Sequence, residues 1–223
     1  MRSLQTFVSA LGLLIFSAAA FAAPQAGKDY LEIKPPQPTD TGSKVEVVEI
    51  FSYLCPHCND FEPKVAAWVK QLPPDTQFRR MPVVFGRPSW ETMARSYYAL
   101  EALGQIEKFH SKIFGAIHDD NVILQQKDVL MDWVEKQGLD RKKFAGAFDS
   151  FSMGGKIQRS NQRAQSYGIT GVPSMVIDGK YMISTTQAGN YDNMLKTADE
   201  LLKQVRASKG VALKSTLQKA AKK

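Results

Sequence analysis

The stretch that most constrains the fold is Val45-Glu-Val-Val-Glu-Ile-Phe51, followed after three residues by Cys55-Pro56-His57-Cys58. The first run is rich in β-branched and aromatic residues and predicts a strand. Beyond the cysteines, Phe61, Val65, Trp68 and Val69 recur at helical spacing until Pro73-Pro74 ends the pattern. Two cysteines therefore sit where a strand passes into a helix. Unpaired backbone N–H groups and the positive end of the helix dipole meet there, and both favour a thiolate over a thiol. Cys55, first in the turn, is the candidate nucleophile. Cys58, about one helical turn further on, faces back into the fold and is the candidate resolving thiol.

The chain has no other cysteine. Taken alone, a Cys-x-x-Cys pair is compatible with redox chemistry, half of a zinc site or an inert thiol pair. Zinc needs four ligands, and the chain adds only His57, His110 and His118, two of them far along the sequence, so no metal is expected. A purely structural disulfide is a poor alternative, because closing so short a loop constrains the unfolded chain little. His57 lies between the cysteines, where a cation or hydrogen-bond donor favours the Cys55 thiolate; its plainer alternative is a solvated histidine at a helix start. Lowering the nucleophile's pKa stabilises the reduced pair relative to the disulfide. The pair then becomes a stronger oxidant.

Arg2, the apolar run from Phe7 to Phe16 and the small residues of Ala20-Phe21-Ala22 have the form of a secretory signal peptide. The apolar core is short for a membrane anchor. The expectation is a chain that starts near Ala23 in an oxidising compartment, where a dithiol can exist as a disulfide. The net charge of +7 invites a nucleic-acid reading, but Lys203, Arg206, Lys209, Lys214, Lys219, Lys222 and Lys223 lie in a terminal stretch without an acidic residue. With these and Arg2 set aside, the body is close to neutral. No nucleic-acid partner is expected, and the tail is read as a solvated end.

In chain order, residues 1–22 form the signal segment and 23–44 an extended lead-in, with Pro35, Pro36 and Pro38 excluding helix and Tyr30 to Ile33 offering a short edge strand. Residues 45–88 give strand, cysteine helix and a second strand over Gln77 to Phe85, an order that implies parallel pairing. Residues 89–152 carry four helical patterns with no strand between them, the first capped by Ser89 and the fourth by Asp140 ahead of Phe144, Phe148 and Phe151. That run reads as an inserted helical subdomain. In 153–206, Gly154-Gly155 marks the return and Lys156 to Tyr167 a connecting helix. Asp178-Gly179-Lys180 then sits between two strand patterns as a hairpin signal, and Asn190 caps a final helix. Residues 207–223 are the basic tail.

The second marker is Gly171-Val172-Pro173, leading into the hairpin and last helix. With Cys55-Pro56-His57-Cys58, the helical insertion and the signal segment, this layout resembles the DsbA-type thiol:disulfide oxidoreductases of the Gram-negative periplasm, over roughly Gln25 to Ser208. The resemblance implies an α/β thioredoxin-like fold with an inserted all-helical subdomain. It also implies Cys55 as attacking cysteine, Cys58 as resolving cysteine, Pro56 and His57 as the dipeptide that sets the thiolate, and Val172 and a cis Pro173 as part of the substrate surface. Family members carry buried acidic residues that adjust the thiol pKa, which points to Glu49 and Glu62; Arg79 stands where a strand lysine is expected, suggesting a Glu49–Arg79 ion pair. Pro63 is shared with thioredoxins and does not discriminate between subfamilies. The implied reaction oxidises reduced, newly exported proteins with the Cys55–Cys58 disulfide and no further cofactor. A DsbB-type membrane oxidase linked to quinone would restore the disulfide, and the enzyme would be a monomer. No dimerisation module of the isomerase kind precedes the cysteines, and a reductase more often carries another dipeptide between them. The rival from a different class is a chaperone-like module that holds unfolded chains in an apolar groove near Val172, Pro173 and Met175.

Overall fold

The computed structural model describes residues 23–220, with side chains described through Gly210; the segment read as a signal peptide lies outside the described residues. A five-stranded sheet organises them, built from β1 (Leu31–Glu32), β2 (Val45–Phe51), β3 (Thr76–Pro82), β4 (Ser174–Ile177) and β5 (Tyr181–Ser184) in the order β1-β5-β4-β2-β3. β2 pairs parallel with β3 and antiparallel with β4, while β4–β5 is an antiparallel hairpin and β1 adds antiparallel to β5 at the edge. Every residue of β2 is buried. Such a strand must be covered on both faces, and the side-chain alternation divides its residues between two cores. Val45 and Val47 pack with Phe61, Val65, Met194 and Leu201, whereas Val48 and Ile50 join the core built with the helical insertion.

The parallel β2–β3 pair needs a crossover, and helix α1 (Pro56–Val69) supplies it. Pro56 opens this helix, a position where its missing N–H costs nothing and its fixed φ is suited. Cys58, Phe61, Glu62, Val65 and Trp68 form the buried face. The insertion comprises α2 (Pro88–Ala102), α3 (Ile106–His118), α4 (Lys127–Lys136) and α5 (Arg141–Phe148), followed by the returning α6 (Ser152–Ser166).

Local details depart from the sequence expectations in four places, the first being β3, which stops at Pro82 short of the expected Phe85, a residue at positive φ. α2 starts at Pro88 after Arg87, so Ser89 is inside the helix and not its cap; proline at the first helical position moves the start forward. Gly154-Gly155 does not interrupt α6, whose buried face of Met153, Ile157, Ser160 and Ala164 carries the helix through both glycines. Phe151 lies beyond the end of α5 and is fully exposed, unlike Phe144 and Phe148. Asp140 and Asn190 do cap their helices, accepting from Lys143 N and Asn193 N at 2.9 and 2.8 Å.

After the four-residue helix α7 (Thr185–Ala188), α8 runs over Tyr191–Ala220 without a break at the expected start of the tail. The basic residues near that boundary are tied to the body. Arg206 bonds Asp75 at 2.8 Å, and Lys209 reaches both Asp178 at 2.5 Å and the Lys44 carbonyl at 3.0 Å. Among the described residues no helix is long and apolar enough to cross a membrane.

The β4–β5 turn is closed by Asp178 and Gly179, both at positive φ, with Lys180 N donating to Ile177 O at 2.9 Å. The proline-rich lead-in lies directly on it: Gln37 N donates to Gly179 O at 2.9 Å, and a Cβ on Gly179 would stand 2.1 Å from Gln37 O. Gly179→Ala must displace backbone and should cost about 3 kcal/mol in urea unfolding. Gly168→Ala, also at positive φ (71°) but with open space around it, should cost only about 1 kcal/mol. Equal costs at the two positions would contradict this packing of lead-in on hairpin.

Candidate active site

β2 and α1 place the cysteines as their sequence suggests. Cys55 is the N-cap residue of α1, its carbonyl accepting from Cys58 N at 3.0 Å and Asn59 N at 3.2 Å. Both cysteines are free thiols, Cys55 8 % exposed and Cys58 fully buried, while Pro56 and His57 face solvent. Cys55 Sγ lies 3.5 Å from the carbonyl oxygen of Val172, and the Val172–Pro173 peptide bond is cis. A cavity of about 330 Å³ lined by Thr170, Val172, Pro173, Ser184 and Gln187 adjoins that bond. Met175 is not part of this surface: it lies on β4, fully buried against α8.

The two thiols are electrostatically unlike. The Cys58 thiol, hydrogen-bonded to the Cys55 sulfur, does most to bring Cys55 down to about 6; burial opposes the shift, and the backbone N–H groups of Cys58 and His57 add to it ahead of the His57 charge. His57 thus acts more through its backbone than through its ring. Burial drives Cys58 strongly the other way, and the neighbouring Cys55 sulfur adds to the effect. One sulfur ionises readily and its partner keeps its proton.

Beneath the cysteines lies a buried polar cluster. Glu49 is 3.3 Å from Arg80 Nε, and Glu62 is 3.5 Å from Arg80 Nη2, 3.2 Å from His110 Nε2 and 3.0 Å from the Ser111 hydroxyl. The expected Glu49–Arg79 pair does not form. In the parallel register Glu49 stands beside Arg80 and Val48 beside Arg79, and neighbours on paired strands share a face. Arg79 therefore lies on the other face, bonded to Asp40 at 2.7 Å and to buried Glu46 at 3.1 Å. Burial raises the Glu49 carboxyl to about 7 against the pull of Arg80. Burial would also raise Glu62, but the hydrogen bond from His110, with the Arg80 charge and the Ser111 hydroxyl, holds it below its ordinary value.

Glu49, Glu62 and His110 offer ligand atoms within 4.8 Å of one another. A metal ion fits this trio poorly, because the Arg80 guanidinium already lies against both carboxylates as their cation.

Sequence reasoning did not assign Arg80, His110 or Tyr53 to the site. His110 stands on the apolar face of α3 among Phe109, Ile113 and Phe114, and the Tyr53 hydroxyl bonds its Nδ1 at 2.8 Å. His118, about two turns further along α3, contacts the Tyr53 carbonyl at 2.8 Å. A polar residue on an apolar helix face was the available signal. Which element that face would meet was not readable without the packing.

A family model for the DSBA-like thioredoxin domain matches residues 46–197. The chain belongs to this family. A thiol:disulfide interchange protein DsbA of Pseudomonas aeruginosa is 36 % identical over 203 residues, covering 91 % of this chain and 96 % of its own length. One from Burkholderia cepacia is 39 % identical over 210 residues, covering 93 % and 99 %. The crystal structure of Pseudomonas aeruginosa DsbA superposes with a TM-score of 0.78 at 37 % identity, covering 82 % of this chain and 95 % of that one. The fold is the thioredoxin-like one with a helical insertion, and the protein is a DsbA-type thiol:disulfide oxidoreductase that donates a disulfide to reduced proteins.

The thiolate absorbance of the reduced protein should rise with a midpoint near pH 6 as Cys55 ionises, with no second step from Cys58 below strongly alkaline pH. Cys58→Ala should move that midpoint up by about one unit, since a hydrogen bond to a charged group contributes about 1.5 kcal/mol. A midpoint near that of an ordinary cysteine in the unsubstituted protein would contradict the assignment.

Proposed function

We propose that the reaction runs through Cys55 as the attacked sulfur and Cys58 as the resolving one, with newly exported proteins as substrates in the bacterial periplasm. The supporting observation is the asymmetry of the two thiols: Cys55 reaches the surface at the helix start and is easily ionised, while Cys58 is buried and holds its proton. A substrate thiolate attacks Cys55 Sγ of the disulfide, the S–S bond breaks, and Cys58 leaves as a thiolate that takes up a proton. A second substrate thiolate then attacks the substrate sulfur of the mixed disulfide and expels Cys55 as a thiolate. The substrate is oxidised by two electrons and the enzyme pair is reduced by two. An easily ionised Cys55 is a good leaving group, which drives transfer toward the substrate.

Val172 and Pro173 border the Cys55 sulfur, where they would contact the arriving chain; Pro56 and His57 shape the exposed start of α1. Glu49, when ionised, tunes Cys58 through its charge, and Glu62 acts one step removed by raising the Glu49 carboxyl. No cofactor beyond the Cys55–Cys58 disulfide is required for the substrate half-reaction. Reoxidation removes two electrons from the dithiol and is assigned to a DsbB-type membrane oxidase. One chain supplies the cysteines, the donors and the Val172–Pro173 edge, so the unit of action is a monomer. Periplasmic placement rests on the signal-like segment 1–22 and on a disulfide chemistry that needs an oxidising compartment.

Cys58→Ala tests the assignment of roles. Turnover of a reduced model substrate should fall to the uncatalysed rate, and Cys58→Ala protein first loaded with glutathione as a mixed disulfide on Cys55 should exchange that glutathione, released as its thiolate, for the substrate thiol on Cys55. Retained turnover, or adducts on Cys58 in a Cys55→Ala variant at the same yield, would overturn the assignment.

A further inference from the structure

Three buried side chains at this site are tied by hydrogen bonds whose direction can be worked out. Tyr53, fully buried, has its hydroxyl 2.8 Å from His110 Nδ1, and burial pushes its pKa well above the ordinary tyrosine value, so it stays protonated and donates. Nδ1 of His110 is then the acceptor. The ring is neutral, because burial lowers its pKa, and its proton sits on Nε2, which donates to Glu62 Oε2 at 3.2 Å.

This donor decides between two carboxyls that share one arginine. Glu62 receives hydrogen bonds from His110 and Ser111 and a contact from Arg80, and it borders a groove of about 560 Å³ lined also by Ala66, Arg80, Glu107, His110 and Ser111. Glu49 does not line that groove; its Oε2 has no hydrogen-bond partner, and Arg80 Nε beside it is likewise unsatisfied. Two neighbouring buried carboxylates do not both ionise easily, so the charge goes to the better-solvated, better-donated member.

We propose that His110 is a positioning residue of the redox site: held by Tyr53, it fixes the negative charge on Glu62 and leaves Glu49 as the carboxyl that holds the buried proton. This rests on the reading of Cys55 and Cys58 as the redox pair. The charged and titratable groups around His110 are Tyr53 and Glu49 from the end of β2 onward, Glu62 on α1, Arg80 on β3, Tyr97 on α2 and Glu107 on α3 itself.

The test follows the carbonyl stretch of the protonated Glu49 by infrared spectroscopy of the oxidised protein across pH, the band being assigned by its loss in Glu49→Gln. The unsubstituted protein should show a midpoint near 7. His110→Ala should lower it by about one unit, a tenfold loss of proton affinity, as the proton passes to Glu62. His110→Gln, whose amide can accept from Tyr53 and donate to Glu62, should restore most of the shift. Should His110→Ala fail to fold, Ser111→Ala removes another donor to Glu62 from a partly exposed position and should shift the midpoint in the same direction, by less. An unmoved midpoint in whichever of these variants folds would overturn the proposal and leave His110 a packing residue. Mixed-disulfide trapping by Cys58→Ala is independent of this readout, so failure of the cysteine assignment would be seen separately.

Discussion

A negatively charged sulfur at the start of α1 is the interaction that the surrounding structure serves. Its donors are supplied by the chain's own geometry: the N-terminal turn of a helix has N–H groups with no helical partner, and Cys55 occupies the cap position where they converge. Cys58 adds its thiol from one turn further in. Because Cys58 is fully buried, its proton stays in place and the hydrogen bond to Cys55 is available in the reduced state. The oxidising tendency of the pair follows, since whatever stabilises the thiolate stabilises the reduced enzyme against its disulfide.

That arrangement needs a rigid seat, and β2 provides it. Parallel pairing to β3 and antiparallel pairing to β4 leave β2 buried on both faces, with α1 and α8 on one side and the insertion on the other. The same strand carries two buried acids on opposite faces. Glu46 is neutralised by Arg79 and Arg163 on a face away from the cysteines, where the lead-in adds Asp40. Glu49 is turned toward them and has only the imperfect contact with Arg80, so its burial is poorly compensated and its pKa rises. Structural and functional charge are thus separated by strand alternation alone.

The strand, the cysteine turn, the crossover helix, the hairpin and the caps at Asp140 and Asn190 were legible in the sequence because each depends on local spacing or on one residue's conformational preference. What was not legible depends on register and on which faces meet. Arg79 and Arg80 are adjacent in the chain, and only the pairing of Glu49 with Arg80 across β2 and β3 says which of them belongs to the site. His110 and His118 lie 57 and 65 residues from Tyr53 in sequence, yet both bond to it, because α3 packs across the end of β2. The tail misled for a related reason: Arg206 and Lys209 look like free charge until Asp75 and Asp178 are placed beside them.

The central claim is that thiolate stabilisation makes the reduced protein the more stable redox form. Cys55 has a folded pKa of about 6, below its unfolded value, so the gain is fully present above the unfolded pKa and is lost as pH falls through about 6. The disulfide form has no thiolate and shows no such gain. Denaturant unfolding of the reduced and oxidised proteins over a pH series measures this directly. The reduced form should be the more stable at pH 7, with its advantage shrinking between pH 7 and pH 5; an oxidised form that is the more stable at pH 7 would contradict the account.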